Sequence, residues 1–267
     1  MNNMISSSTS RSFYLPESMT SGVIKVLLIG LGGTGSAIVS DLFQLHGTLV
    51  AIGHDGLHVT AYDGDHVSQA NIFRQQFWSH DINHNKAEVL INRLNQFGNT
   101  DWVAVPRYLE KEDLYNEKYD LVITAVDKAS VRVLVGEALE YRKRMGLWLD
   151  LGNDNHQSNV LLGSQSSHGT GAAKRLPTPY ELFGSQWREA SKNEEDVNSC
   201  STLQAITKQT FGINSMTAKS AVSMILFPLL RNGELRHHGL FIDLHDADIS
   251  KMPVDPLQWS LYGYTES

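Results

Sequence analysis

The feature that most constrains the fold is the run Leu28-Ile29-Gly30-Leu31-Gly32-Gly33-Thr34-Gly35-Ser36. The apolar segment Val23–Ile29 leads into it as a buried strand, and Ala37–Leu45 follows as a helix. Strand, glycine-rich turn and helix make one functional unit. The glycines let the backbone approach a phosphate, while the helix N-terminus presents unpaired N–H donors and the positive end of its dipole. Gly30, Gly32 and Gly35 satisfy a G-x-G-x-x-G pattern, so this stretch alone fits a nicotinamide or flavin domain equally well. The plain alternative is a glycine-rich turn with no ligand.

The next fifty residues separate these readings. Leu57–Tyr62 alternates as a second strand and ends at Asp63-Gly64-Asp65. Asn71, Arg74 and Gln75 follow in Asn-Ile-Phe-Arg-Gln, and Lys86 follows in Asn-Lys-Ala. An acidic residue closing the second strand suits a ribose hydroxyl in any of these readings. An arginine and a lysine arriving together downstream have no use in a dinucleotide dehydrogenase. They suit a triphosphate, whose charge must be neutralised where it shifts during phosphoryl or adenylyl transfer. Lys86 falls in the first turn of a helix predicted over His84–Phe97. A cation is disfavoured there by the helix dipole, which points to an anionic ligand as its partner.

In order and spacing, Gly-x-Gly-Gly-x-Gly-Ser, Asp63-x-Asp65, Asn71-x-x-Arg74-Gln75, Lys86 and a later Asp127 resemble the ThiF/MoeB/ubiquitin-activating superfamily over residues 22–163. A narrower resemblance, to the ThiF-family member of the PRTRC (ParB-related, ThiF-related) cassette, rests on Ala70–Phe77, Gln209–Asn214 and Gly239–Ile242. The resemblance implies a Rossmann-like, doubly wound α/β fold. Its sheet would be mostly parallel, with helices on both faces and a long crossover insertion. It further implies ATP- and Mg2+-dependent adenylation of the C-terminus of a ubiquitin-like protein by a homodimer, with a conjugating-type enzyme as a further partner. By matching position, Gly30, Gly32, Gly33, Gly35 and Ser36 would pack beneath the nucleotide. Asp63 would hold the ribose, with Asp65 beside it. Arg74 and Lys86 would bind phosphate oxygens, ordered by Asn71 and Gln75, and Asp127 would hold Mg2+.

Two rival functions stay in view. One is a nicotinamide-dependent oxidoreductase, against which Arg74, Lys86 and Asp127 weigh. The other is a scaffold that binds ATP without transferring anything.

At 267 residues the chain is long enough for a substantial core, with 41% apolar and 19% charged residues. A net charge of −7 and no basic run argue against nucleic-acid binding. No apolar stretch approaches the roughly 20 residues that cross a bilayer, so no membrane partner is expected. Met1–Ser21 lacks the basic-then-apolar order of a secretory signal, and the expected compartment is the cytoplasm. The single cysteine excludes a disulfide framework and the paired Cys-x-x-Cys zinc site of many superfamily members.

Residues 1–20 are expected to be a flexible or partner-clasping arm, whose Arg11 is the one candidate to reach a neighbouring subunit's nucleotide. Residues 21–267 are expected to form a single adenylation domain. Gly47–Gly56 reads as an extended connection. Trp102–Val105 and Tyr119–Val126 read as strands, the second ending at Asp127 on the sheet edge where ligands bind. A helix (Ser130–Tyr141) and two more strands (Leu147–Leu151, His156–Leu162) follow. The polar stretch 163–200, with Pro177 and Pro179, reads as a mobile crossover. A helix over Ser215–Leu230 and a strand over Gly239–Leu244 close the chain, ahead of a partly exposed aromatic tail.

Cys200 ends the crossover beside a predicted helix start, where a thiolate is favoured. In superfamily enzymes that pass on a ubiquitin-like protein, a crossover cysteine takes the acyl group as a thioester, and this is the role assigned to Cys200. The alternative is an inert half-buried cysteine. The eleven histidines make no metal pattern: His80 and His84 lack an H-E-x-x-H frame, and His237-His238 would diverge.

Overall fold

The structure, a computed structural model, describes residues 11–15, 19–116, 118–141, 146–164, 175–194 and 209–264. In chain order the first half runs β1 (Phe13–Tyr14), β2 (Ile24–Ile29), α1 (Gly33–Ala51), β3 (Leu57–Tyr62), α2 (Lys86–Gly98), β4 (Val103–Val105), α3 (Asp113–Asn116), β5 (Leu121–Thr124) and α4 (Ala129–Tyr141). The second half runs β6 (Leu147–Asn153), β7 (Gln157–Ser164), α5 (Pro179–Ser191), α6 (Ile213–Asn232), β8 (Glu234–Leu235), β9 (His237–Asp243), β10 (Asp248–Pro253) and a short helix, Pro256–Ser260.

Eight strands form one sheet in the order β10-β9-β7-β6-β5-β2-β3-β4. From β4 to β6 the pairs are parallel. From β6 to β10 they are antiparallel. The sheet is therefore the expected mostly parallel, doubly wound one, extended at one side by antiparallel strands. Neighbouring residues of a strand point to opposite faces, and both faces here are apolar. Val26, Leu28, Ile123 and Leu149 join the core under α1, α2 and α6. Leu27, Ile29, Val122 and Trp148 join a second core with Val135, Leu139 and Tyr180 of α4 and α5. Near-continuous apolar strands of this kind are what a sheet covered on both sides requires.

The structure departs from the sequence reading in several places. Helix α1 continues through Gly47 to Ala51, where an extended connection was expected. Leu45 and Leu49 stay buried along it, and burying that stripe outweighs the roughly 1 kcal/mol that glycine costs a helix. Within the expected crossover, residues 179–191 form α5. Its N-terminus is a capping box in which Thr178 Oγ1 accepts from the Glu181 N–H at 3.2 Å and the Glu181 carboxylate accepts from the Thr178 N–H at 2.7 Å.

Of the expected arm, Phe13 is fully buried, and Phe13–Tyr14 pair antiparallel with Leu235 and Glu234. Helix α6 is long and apolar enough to cross a membrane by length and composition, unlike the sequence expectation. More than half of its apolar stretch is buried, and the helix packs on α1 and β7 as a core element. It widens to a π-helix over Ala221–Leu226, one residue before Phe227 and the Pro228 that cannot donate to the preceding turn. Strands β1, β8 and β10 were not anticipated. In the tail Trp259 and Tyr264 are buried, whereas Leu261 and Tyr262 are exposed.

Candidate nucleotide site

The glycine loop is built by close backbone contact. Gly30 has φ +87°, and a Cβ there would meet the Ala125 carbonyl oxygen at 2.7 Å. A Cβ on Gly35 would lie 2.7 Å from the Gly30 carbonyl carbon. Neither position tolerates a side chain, so α1 starts hard against the end of β2. A Cβ on Gly33 would meet the Asn214 side chain at 2.6 Å, whereas one on Gly32 would meet nothing within 4 Å and stand in open space. Gly32 is also the N-cap of α1 and supplies no capping side chain, and the first turn holds no acidic residue. Among the described residues no side chain caps the first turn of this 19-residue helix, an arrangement whose N–H groups suit an anion. Ser36 does not face that space. Its Oγ donates to Gly33 O at 3.0 Å and accepts from the Gln76 N–H at 3.2 Å, tying the Asn71–Phe77 loop to the helix.

Asp63, buried at the end of β3, grips this loop. Its Oδ2 accepts from the Leu31 N–H at 2.6 Å and its Oδ1 from the Asp65 N–H at 2.8 Å. Burial pushes its carboxyl above the ordinary range, against the opposing pull of Lys86 and the two amides. Asn85 caps α2 through Oδ1 and donates Nδ2 to the Asp63 and Asp65 carbonyls at 2.9 and 3.1 Å. That cap fixes where Lys86 begins its helix. Lys86 is 6% exposed, and its Nζ sits 2.9 Å from Asp65 Oδ2. In this structure Lys86 is held by a carboxylate of the protein itself, Asp65, where the sequence pointed to an anionic ligand.

The second oxygen of Asp65 accepts from the hydroxyl of Tyr108, whose ring lies over Gly64. Burial alone would raise Asp65, but the bonds from Tyr108 and Lys86 hold it below the usual carboxylate range. Tyr108 is pushed up to about 12, first by that same bond, then by burial and by the charges of Asp65, Asp63 and Asp127. Asp127, exposed just past β5, therefore shares an electrostatic environment with both other aspartates.

Arg74 approaches from the other side of the loop and donates to Gln209 Oε1 at 3.3 Å. Gln209 also receives Asn214 Nδ2 at 3.3 Å. Asn214 Oδ1 in turn accepts from Thr34 Oγ1 at 3.0 Å and Asn153 Nδ2 at 2.6 Å. Asn71 acts within its own loop, its Oδ1 accepting from the Ser68 N–H at 2.9 Å and Oγ at 3.2 Å. Gln75 keeps a buried Oε1 that no described residue bonds. Cys200 lies outside the described residues, as does the helix start predicted there. Sequence reasoning missed Tyr108, Asn85, Asn153 and the roles of Gln209 and Asn214. Only Asn85 carried a local signal, as an N-cap residue before an apolar-periodic run.

Gly loop, aspartate-terminated second strand and parallel sheet define an α/β domain of Rossmann type. The sequence matches the model of the ThiF family over residues 21–256, and the chain belongs to that family. No curated protein matches it. Among solved structures it is similar to PaaA, with TM-score 0.56 and 16% identity over 86% of this chain and 64% of that one. It is similar to E. coli MccB solved with ATP, with TM-score 0.58 and 14% identity over 89% and 65%. It is also similar to the microcin C7 biosynthetic enzyme MccB in complex with N-formylated MccA, with TM-score 0.57 and 16% identity over 87% and 65%. The chain thus spans a little under two thirds of the length of these structures.

Proposed function

We propose that this chain is an adenylyltransferase that activates the C-terminal carboxylate of a peptide or protein with ATP. The observation carrying this reading is the nearly buried Lys86, held on Asp65 beside the uncapped N-terminus of α1. Family membership supports it, as does similarity to MccB solved with ATP. In the reaction a carboxylate oxygen bonds to the α-phosphorus, the Pα–O bond to the β-phosphate breaks, and pyrophosphate leaves with that electron pair. Both reactants are anions, so positive charge and alignment are the enzyme's main contributions. The glycine loop and α1 N-terminus receive phosphate oxygens. Lys86 turns from Asp65 to the phosphates, leaving Asp65 hydrogen-bonded by Tyr108. Arg74 supplies the second cation, and Asp63 holds the ribose. The exposed Asp127 fits Mg2+, which takes one or two carboxylates and fills its shell with phosphate oxygens and water. When bound, it neutralises phosphate charge.

The finer reading is that the substrate is a ubiquitin-like protein and that the enzyme works as a homodimer in a PRTRC-type setting. Cys200 would then carry the acyl group as a thioester toward a conjugating-type enzyme. Thermal unfolding tests the nucleotide assignment directly. ATP with Mg2+ is expected to raise the melting temperature by mass action while NAD does not. Lys86→Ala is expected to lose on the order of 10²-fold or more in AMP formation. A shift with NAD and none with ATP would instead favour the oxidoreductase.

A further inference from the structure

Arg74 sits in a loop whose shape costs backbone strain. The residue before it, Phe73, has φ +71°, a left-handed conformation that side chains disfavour. Phe73 gains nothing from it by burial, since the residue is 93% exposed. The turn brings the Arg74 and Gln75 N–H groups onto the Asn71 carbonyl at 3.3 and 2.9 Å, and the Arg74 side chain reaches Gln209. Strain of this kind persists where it places a functional group, here the guanidinium.

What receives that guanidinium is a chain of neutral amides. Gln209 Oε1 accepts from Arg74 Nη1 and from Asn214 Nδ2, each at 3.3 Å. Asn214 cannot turn around. Its Oδ1 holds two donors, Thr34 Oγ1 at 3.0 Å and Asn153 Nδ2 at 2.6 Å, and its carboxamide fills the space a Cβ on Gly33 would need. Its N–H end therefore faces Gln209, which fixes the Gln209 oxygen as the shared acceptor. Three elements set that direction: the first turn of α1 through Thr34, the end of β6 through Asn153 and the start of α6 through Asn214. The contrast with Lys86 lies in the charge of the holder. Lys86 is held by a carboxylate. An amide oxygen directs a guanidinium without cancelling its charge.

We infer that Gln209 is a positioning residue for Arg74: it aims the guanidinium at phosphate oxygens, and Asn214 sets the orientation of the Gln209 carboxamide. The inference rests on the proposed adenylation reading, which places Arg74 on those oxygens. A guanidinium leaves a neutral acceptor for a phosphate more readily than it leaves a carboxylate. Arg74 thus meets the triphosphate already aligned, which is where positioning lowers a barrier.

The test is a double-mutant cycle on the full chain. Isothermal titration calorimetry measures binding of ATP with Mg2+ and of adenosine, which carries no phosphate. Gln209→Glu keeps an oxygen acceptor for Arg74 and Asn214 but adds a charge that pairs with the guanidinium. Gln209→Ala removes the acceptor. Both are expected to weaken ATP binding on the order of tenfold and to leave adenosine binding unchanged. In an Arg74→Ala background neither is expected to weaken ATP binding further. Gln209→Glu is expected to melt no lower than the wild type, which separates its loss from misfolding. Wild-type affinity for ATP in both single variants, losses as large in the Arg74→Ala background, or adenosine binding weakened as much as ATP binding overturns the inference. Coupled losses with no AMP formed from ATP and a mixed-sequence pool of decapeptides leave the inference standing and refute the adenylation reading. AMP formed, with no coupling between Gln209 and Arg74, does the reverse. A wild-type chain that binds no ATP overturns both.

Discussion

The same substitution at two glycines of one helix is expected to have opposite signs. Gly47 lies in the exposed interior of α1, where an added Cβ meets nothing within 4 Å. Gly47→Ala therefore gains helix propensity of about 1 kcal/mol with no steric cost, worth about 2–4 °C in melting temperature for a chain of this size. Gly35, the third residue of the same helix, gains at most the same propensity. Its Cβ, however, falls 2.7 Å from the Gly30 carbonyl carbon and nearer still to the oxygen. Backbone cannot rotate away as a side chain does, so the helix must move off β2. Overpacking of this kind costs about 1–3 kcal/mol or more, leaving Gly35→Ala neutral to about 2 kcal/mol less stable than wild type. The two variants should differ by about 1–3 kcal/mol, read by urea or thermal unfolding at neutral pH. Because the displacement falls on the anion-binding end of α1, Gly35→Ala should also lose the ATP-induced melting shift that Gly47→Ala keeps. A Gly35→Ala protein as stable as Gly47→Ala, with ATP binding intact, would refute the close-packed loop.

Two further outcomes are expected. His238 is fully buried, Nδ1 to the Leu162 carbonyl at 2.7 Å and Nε2 accepting from Trp259 Nε1 at 2.8 Å, and burial depresses its pKa to about 4. The unfolded chain binds this proton below about 6.5 and the folded chain does not, so stability falls as pH drops from 6.5 towards 4, by about 3 kcal/mol from this group. His238→Gln should flatten the slope of melting temperature against pH over that window, and an unchanged slope would exclude His238 as its source. Cys200→Ala should leave AMP formation near wild type while abolishing any reductant-sensitive acyl adduct seen by mass spectrometry. An adduct that survives the substitution removes Cys200 from the transfer.

The centre of the site was legible because its parts sit at consecutive strand and helix ends. Glycine loop, Asp63 and Lys86 each terminate or begin an element that hydrophobic pattern alone delimits, and the parallel sheet brings those ends to one edge. Asn71 was assigned to ordering phosphate contacts, whereas its side chain is engaged by Ser68 in a turn of its own. Tyr108, Asn153 and Asn214 were invisible for a different reason: tertiary packing alone brings them to the loop, from 43 to 180 residues away in sequence. Helix α5 was legible in principle, since Thr178, Pro179 and Glu181 spell a helix start, but the polar composition around them suggested a loop.

The most direct test of the central claim follows oxygen. The chain is incubated with ATP, Mg2+ and a mixed-sequence pool of decapeptides carrying 18O in the C-terminal carboxylate, and hydroxylamine traps the activated acyl group. If a carboxylate oxygen attacks the α-phosphorus, the AMP released carries one 18O and the peptide is recovered as its hydroxamate. Formation of ADP with 18O-labelled inorganic phosphate would place attack at the γ-phosphorus. That result would contradict the assignment of Arg74, Lys86 and Asp127 to adenylyl transfer.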